Sequence, residues 1–311
     1  MKYEICADEA WTHNSAPLNR YWCFYGGAFG LESDIDRLET ALRLVRTVRG
    51  FAGEVKWANL SAENVSYYND LLDIFFDHLV NHDLHYRQFF ISREHVAVPD
   101  HEGAAADTLL DVQFKLYYQF LKHSFGLQHL PAATAAEPHQ VLLRLDEHSS
   151  SKHKTRLKNF VEGLHGHLTP TRDDLSIRVT YVQSQSLMRL QLCDLLMGAA
   201  GSYGNRKHEF RALGQRGMKP MQRLRFELAT RIYKDLRGIS CSERGTGAFN
   251  WFESTGRSSP SANLTDKVRI WKFLPTRYQL DKGWQNDNLG RGGVYVAPQL
   301  SVDVFDARDG R

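Results

Sequence analysis

The chain has 311 residues, of which 42% are hydrophobic and 24% charged, and its formal net charge is +3. This composition is ordinary for a soluble globular protein, and no apolar run reaches the ~20 residues that a membrane-spanning helix needs. The mild positive charge is compatible with a polyanionic partner but does not by itself indicate one. Four cysteines without a C-x-x-C pair indicate reduced thiols in a cytoplasmic protein, and acids at the N-terminus argue against a secretory signal.

Hydrophobic periodicity divides the first half of the chain into alternating strands and helices. Turn-forming residues between the first two strands favour an antiparallel hairpin. Ser33 or Asp34 is expected to cap the first helix, and Ser61 the second. In chain order the pattern predicts strands over 2–8 and 20–30, helices over about 33–49 and from 61, a strand over 84–92 and a helix over 107–125.

The second half continues in the same way and then changes character. Strands are predicted over 140–146 and 175–183, with helices over 152–167, 187–200 and about 219–237, and a strand-like piece over 268–274. This order predicts an α/β fold with a mixed sheet flanked by helices, antiparallel at one side. Lys and Arg dominate after Gly204, so we expect one domain over 1–205 and a basic helical or irregular extension over 206–311, packed on or beside it.

Asp8 and Asp146 each close an apolar run that is predicted to be a strand. If the two strands are parallel neighbours, both carboxylates emerge at the carboxyl edge of the sheet, where α/β proteins bind ligands. The alternative is that each Asp caps the turn that follows it. Glu9 and Glu147 come next in sequence and are expected to point to the opposite face of the sheet.

Asp194 lies in an apolar helix, on one stripe with Gln191, Leu195 and Gly198. A glycine lowers helix stability, so Gly198 suggests that the helix lies close to the sheet, which would bring Asp194 over the strand ends. The alternative places Asp194 on a solvated helix face.

Glu54 and Lys56 form an acid-x-Lys pair. Glu54 can act as a metal ligand while Lys56 pairs with a phosphate or polarises water; the alternative is an ordinary surface ion pair. A buried carboxylate is costly unless it is paired, hydrogen-bonded or bound to a cation. Asp8, Glu54, Asp146 and Asp194 are therefore predicted to hold two hard divalent metal ions, Mg²⁺ or Mn²⁺, for phosphoryl-transfer chemistry in which Lys56 takes part.

Basic residues beside these acids are candidates for contacts with nucleic-acid phosphates. The candidates are Lys152, Lys154, Arg156, Lys158, Arg206 and Lys207. For the first four of these, the alternative is that they lie on a solvated helix face.

These residues resemble the motifs of the domain-of-unknown-function 3800 family. The matching pieces are Asp8-Glu9-Ala10, Glu54-Val55-Lys56, the strand that ends in Asp146, and Gln191-Leu192-Cys193-Asp194 with Gly198. Ala10 stands where the family usually has Ser, and Cys193 where it has Ala; neither departure removes a carboxylate. The resemblance covers about residues 1–205, and Phe249-Asn250-Trp251 is similar to the family's C-terminal end. It implies an RNase H-like fold, an acidic metal site made by the four acids, and a setting in bacterial defence against phage or mobile elements.

Three hypotheses follow for the function. The first is a divalent-metal-dependent nuclease acting on DNA or RNA. The second is a non-catalytic nucleic-acid-binding or assembly subunit that uses the basic segment, with a homo-oligomer or partner protein contacting the C-terminal extension. The third is a restriction-like nuclease built on Glu54 and Lys56 alone, which leaves Asp8 and Asp194 without a role.

Overall fold

A computed structural model describes residues 1–11, 21–92, 94–97, 109–134, 137–147, 151–168, 170–209, 216–255, 261–275 and 278–280. The strands are β1 Lys2–Trp11, β2 Tyr21–Leu31, β3 Leu84–Ser92, β4 His95–Ala97, β5 His139–Asp146, β6 Leu175–Val182, β7 Val268–Phe273 and β8 Tyr278–Leu280. The helices are α1 Glu32–Val48, α2 Val65–Asn81, α3 Leu109–Ser124, α4 Ser151–Glu162, α5 Met188–Gly204, α6 Pro220–Arg244 and α7 Ala262–Thr265.

Six strands form one mixed sheet in the order β6-β5-β1-β2-β3-β7, and β4 pairs with β8 in a small second sheet. Strand β2 runs antiparallel to β1 and β3, while β1, β5 and β6 are parallel to one another and β3 is parallel to β7. The predicted α/β class, the mixed sheet and the first hairpin are confirmed. The antiparallel strand lies inside the sheet instead of at one side of it.

Each face of the sheet carries its own layer of helices and its own apolar core. The first core contains apolar residues of α1, α2, α5 and α6, and the second contains those of α3 and α4. Strand β1 serves both, since its side chains alternate between the faces. Ile5 and Ala7 belong to the second core, whereas Glu4 and Cys6 meet Arg189 of α5 on the first face. Asp8 shares the face of Glu4 and Cys6 by the same alternation.

Two predicted helix caps are wrong. Helix α1 begins at Glu32 directly after β2, with Leu31 at the N-cap position, so Ser33 and Asp34 already lie inside the helix. Helix α2 begins at Val65 with Asn64 at the N-cap position, four residues beyond Ser61. The carbonyl of Ser61 accepts the Val65 N–H, so Ser61 supports the helix start through its backbone. In both places the tertiary path of the chain decides where the helix begins.

Residues after 205 contribute to the same sheet and core. Strand β7 extends the sheet by pairing with β3, and α6 packs against α5. The Trp251 side chain is fully buried, and its indole N–H donates to Gln88 Oε1 of β3 at 3.1 Å. The division at residue 205 stays a prediction, and residues 281–311, which it assigns to the extension, lie outside the described residues.

All four cysteines are free thiols, and three of them are buried. Within the described residues, every helix is too short or too polar to cross a lipid bilayer.

Candidate functional site

The register of the parallel strands places Asp8 beside Asp146. Strands β1 and β5 pair as far as Ala7 opposite Leu145, so the next position on each strand is one of the two acids. Asp146 is the last residue of β5, as predicted. Strand β1, however, continues to Trp11 because its pairing with β2 extends past the end of β5, and Asp8 lies opposite Gly26. Asp8 therefore lies beside Asp146 where the parallel pairing of β1 and β5 ends, although β1 itself continues to Trp11.

One stripe of α5 holds the segment that carries Glu54. The Val55 N–H donates to Gln191 Oε1 at 2.8 Å, and the Trp57 N–H donates to Asp194 Oδ2 at 2.9 Å. These bonds join residues more than 130 positions apart in the chain. Asp194 is thus not on a freely solvated helix face, and the predicted stripe of Gln191 and Asp194 is the surface on which the Glu54-Val55-Lys56 motif lies.

Gly198 completes that stripe for a reason that differs from the prediction. A Cβ atom on Gly198 would lie 2.2 Å from the Cβ of Trp57, far inside van der Waals contact. The close approach is therefore to the 3-10 turn Trp57–Asn59, and not to the sheet. A glycine here lets the Trp57 backbone come within reach of the Asp194 carboxylate.

Ser184 joins two of the acids and was not among the predicted residues. Its hydroxyl donates to Glu54 Oε1 at 2.7 Å, and its backbone N–H donates to Asp146 Oδ1 at 3.0 Å. Its carbonyl accepts a hydrogen bond from Gln191 Nε2 at 2.8 Å. Ser184 lies two residues beyond the end of β6. Its small polar side chain, directly after the strand predicted over 175–183, was the available signal.

Lys56 lies among the acids. Its Nζ is 3.1 Å from Glu54 Oε1, and the Tyr68 hydroxyl holds its backbone by accepting from the Lys56 N–H and donating to the Lys56 carbonyl. Burial opposes the charge of Lys56, but the hydrogen bond to Glu54 and the charges of Glu54, Asp194 and Asp146 outweigh it. The pKa of Lys56 is raised as a result.

Burial and the neighbouring acids oppose the charge of Asp8 and Asp194. Burial, followed by the charges of Glu9, Asp194 and Asp146, raises the pKa of Asp8 well above its usual value. The pKa of Asp194 is also raised, first by burial and then by Glu54 and Asp146, although the Trp57 N–H and Lys56 oppose the shift. An ionised cluster of this kind costs free energy that a cation would offset.

Glu9 is a further acid close to this cluster, on the other face of β1. Burial and the charge of Asp146 raise its pKa to about 7. Burial raises the pKa of Tyr25 and Tyr117, which belong to the second core, and the charge of Glu9 adds to both shifts. This agrees with the expectation that Glu9 points away from the face of Asp8.

The donor chemistry of the four acids fits hard divalent cations, which prefer carboxylate oxygen. Within the described part of the chain, no group of three or more His, Cys, Asp or Glu side chains is arranged to hold a metal ion. Glu54 contacts Lys56 and Ser184 instead, and Asp194 accepts from Trp57. Metal binding would therefore require some of these side chains to turn toward the ion.

The predicted basic residues lie on α4, the helix whose Leu157 and Val161 belong to the second core, and Arg156 and Lys158 are exposed. Lys154 pairs with Glu147 and lies over the Tyr181 ring, 5.7 Å from its centroid. The Arg156 guanidinium lies 4.4 Å from the centroid of Phe114, and Lys158 pairs with Glu162 at 3.8 Å. The Lys152 side chain lies outside the described residues. Lys154 is linked to the acids through Glu147, the residue that follows Asp146.

The two basic residues after α5 differ from each other. Arg206 is bonded to Glu209 at 2.7 Å, so its charge is already paired. Lys207 has a lowered pKa, caused by burial and then by the charge of Arg225 on α6. Lys207 therefore lies next to another cation.

A scan against protein-family models and a search of curated proteins gave no match to this chain. The family resemblance described above therefore stays an expectation that rests on the motifs alone.

Proposed function

We propose that this protein is a divalent-metal-dependent nuclease that hydrolyses phosphodiester bonds of DNA or RNA. The observation that carries the proposal is the convergence of four acids from distant parts of the chain. Asp8 and Asp146 occupy neighbouring strands at one register, and the charges of Asp146 and Asp194 both raise the pKa of Asp8. Buried like charges are typical of sites whose function needs them, because structure alone gains nothing from their repulsion.

Asp8, Glu54, Asp146 and Asp194 would hold Mg²⁺ or Mn²⁺. Two such ions, when bound, activate a water molecule and stabilise the leaving oxygen of a phosphodiester. Lys56 supplies a positive charge that neutralises charge developing on the phosphate. Ser184 orients the Glu54 carboxylate through its hydroxyl and anchors Asp146 through its backbone N–H.

We further propose that the sheet is RNase H-like. Support comes from the mixed sheet in which β2 alone runs against the other five strands, with Asp8 and Asp146 where the parallel pairing of β1 and β5 ends. Asp194, on a helix that packs against β1 and β2, adds its carboxylate from above that edge. A setting in bacterial defence is implied by the family resemblance only.

The proposal is tested by cleavage of labelled single- and double-stranded DNA and RNA in Mg²⁺, Mn²⁺ or EDTA. Asp146→Asn removes a carboxylate while keeping its size, and Glu147→Gln is the matched control because Glu147 is exposed and pairs with Lys154. We expect metal-dependent cleavage by the wild type and by Glu147→Gln, and a loss of at least about a hundredfold in Asp146→Asn. Equal activity of Asp146→Asn, with folding intact, would exclude this acid as a ligand and overturn the proposal.

A second candidate is a nucleic-acid-binding subunit that does not cleave. The observation that favours it is the set of contacts that Glu54 and Asp194 make with Lys56, Ser184 and Trp57. Gel shifts in EDTA across a salt series separate the two candidates. A non-catalytic subunit binds equally well with and without metal, and its affinity falls with salt according to the number of phosphates contacted.

A further inference from the structure

We infer that Lys207 and Arg225 form a clamp for a phosphate of the substrate strand, next to the acidic site. This inference rests on the proposed function and names two residues that would hold the nucleic acid. Arg225 lies on α6 and Lys207 in the turn after α5, so the two cations come from separate elements.

Arg225 is tied to the segment that carries Glu54. Its Nη2 donates to the Ala58 carbonyl at 3.1 Å, and the residue before Ala58 is Trp57, whose N–H donates to Asp194 at 2.9 Å. Two residues of chain and two hydrogen bonds place the guanidinium within about 13 Å of the Asp194 carboxylate. A nucleic-acid strand carries one phosphate per ~3.4 Å of rise, so the clamp is no more than about four nucleotides from the scissile bond.

Lys207 is held beside Arg225 by the packing of α6. Its carbonyl accepts from Gln222 Nε2 at 3.0 Å, and Gln222 lies one helical turn before Arg225 on the same side of α6. Burial and then the charge of Arg225 lower the pKa of Lys207, and the second cause agrees with a short separation of the two cations.

Neither cation has an acidic partner among the described residues, although acids lie close by. Glu209 is bonded to Arg206 and His208, and the Arg225 Nε is buried without a hydrogen-bond partner in the described part of the chain. Arg231, two turns further along α6, shows the contrast because it is paired with Asp73 and Asp235. Two adjacent cations cost free energy, and a phosphate that contacts both would offset it.

The test measures binding of a fluorescently labelled single-stranded DNA or RNA oligonucleotide by anisotropy in EDTA, so that no cleavage is needed. Arg225→Gln and Lys207→Gln are compared with Arg231→Gln, the matched control. We expect each clamp substitution to weaken binding and to reduce the slope of log affinity against log salt by about 0.7, the value for one phosphate contact on a single strand. Arg231→Gln should leave the affinity and the salt slope unchanged.

Arg225→Lys separates charge from the hydrogen bond to Ala58. It keeps the positive charge, so we expect a salt slope close to that of the wild type even if its melting temperature falls. A double variant of Lys207→Gln and Arg225→Gln that binds like the wild type would overturn the clamp while leaving the nuclease proposal intact. Failure of the wild type to bind any oligonucleotide would also overturn the clamp. Binding that depends on both residues, without cleavage in any metal, would support the clamp and count against the nuclease.

Discussion

Asp8 is the acid whose surroundings most oppose its charge. The residue is 8% exposed, and its Oδ1 accepts a hydrogen bond from the Glu9 N–H. Burial and three neighbouring carboxylates raise its pKa well above the usual value. The metal-free protein therefore loses stability when this group is ionised, and a bound cation would restore it.

Asp8→Asn is expected to stabilise the metal-free protein at pH 8. Because the pKa of Asp8 is raised on folding, the folded protein holds a proton that the unfolded chain releases, and stability falls as pH rises from about 4 through the raised pKa. Asparagine cannot ionise and so removes that loss. Thermal unfolding in EDTA should show that the free energy of unfolding of the variant exceeds that of the wild type by about 1 kcal/mol at pH 8 and by less at pH 5. The increase in melting temperature caused by Mn²⁺ should disappear. A less stable variant at pH 8 would contradict the raised pKa of Asp8.

Ser184→Ala tests the residue that joins Glu54 to Asp146. The substitution removes the hydroxyl that donates to Glu54 Oε1 at 2.7 Å and leaves the backbone N–H that donates to Asp146. A hydrogen bond to a charged group contributes about 1.5–3 kcal/mol, so kcat for cleavage should fall about tenfold or more. Ser186→Ala in the same 3-10 turn is the control, because the Ser186 hydroxyl donates only to the Gln183 carbonyl. Equal effects of the two substitutions would show that Ser184 does not position Glu54.

At the scale of elements, α5 is the structure that assembles the site. Gln191 and Asp194 accept the Val55 and Trp57 N–H groups, and Gly198 lets the Trp57 backbone approach. The N-terminus of α5 is held in turn by Glu39 of α1, whose carboxylate accepts the Met188 and Arg189 N–H groups. The position of Glu54 thus depends on a helix that lies far from it in sequence.

Gly198→Ala is expected to displace the Glu54 segment, although alanine favours a helix. The added methyl group would lie 2.2 Å from Trp57 Cβ, so either α5 or the 3-10 turn must move. Overpacking of this kind lowers the free energy of unfolding by about 1–3 kcal/mol. We expect the rate of cleavage to fall as well. Gly238→Ala, at an exposed position of α6, is the control. A methyl group there meets nothing within 4 Å, so the substitution should raise the free energy of unfolding by about 0.5–1 kcal/mol. Denaturant unfolding of both variants gives the comparison, and stabilisation by Gly198→Ala would contradict the close approach.

On the scale of the whole molecule, residues after 205 complete the sheet and one of its cores. Strand β7 covers the edge of β3, and Trp251 fills the core between β3 and α6. Its indole reaches Gln88, the residue of β3 that lies opposite Gly26 of β2. The basic composition of this segment predicted an extension, and did not predict that it supplies a strand of the sheet and part of a core.

A chain that ends at residue 205 is therefore expected not to fold cooperatively. It would expose β3 as an unpaired edge and leave the space of Trp251, α6 and β7 empty, and such edges promote aggregation. Thermal unfolding and binding of a dye for exposed apolar surface test this, with the full chain as reference. A sharp transition for residues 1–205, at a melting temperature near that of the full chain, would instead support an independent domain.

The sequence by itself determined most elements and two of the site's relationships. Strands β1, β2, β3, β5 and β6 follow from period-2 patterns and β-forming residues, which act within a few positions of the chain. The same local patterns placed Asp8 and Asp146 near strand ends, and the helical spacing of Gln191, Asp194 and Gly198 predicted one shared stripe.

Only the tertiary structure decided what those residues meet. That Gln191 and Asp194 bind the backbone of Val55 and Trp57, and that Ser184 links Glu54 with Asp146, depends on contacts between residues 38 to 137 positions apart. The placement of β7 beside β3 depends on pairing over a still longer stretch of chain, and that of Arg225 beside Lys207 depends on the packing of α6 against the turn after α5. Periodicity reports which face of an element is buried, whereas the partner on that face is chosen by the packing of the whole chain.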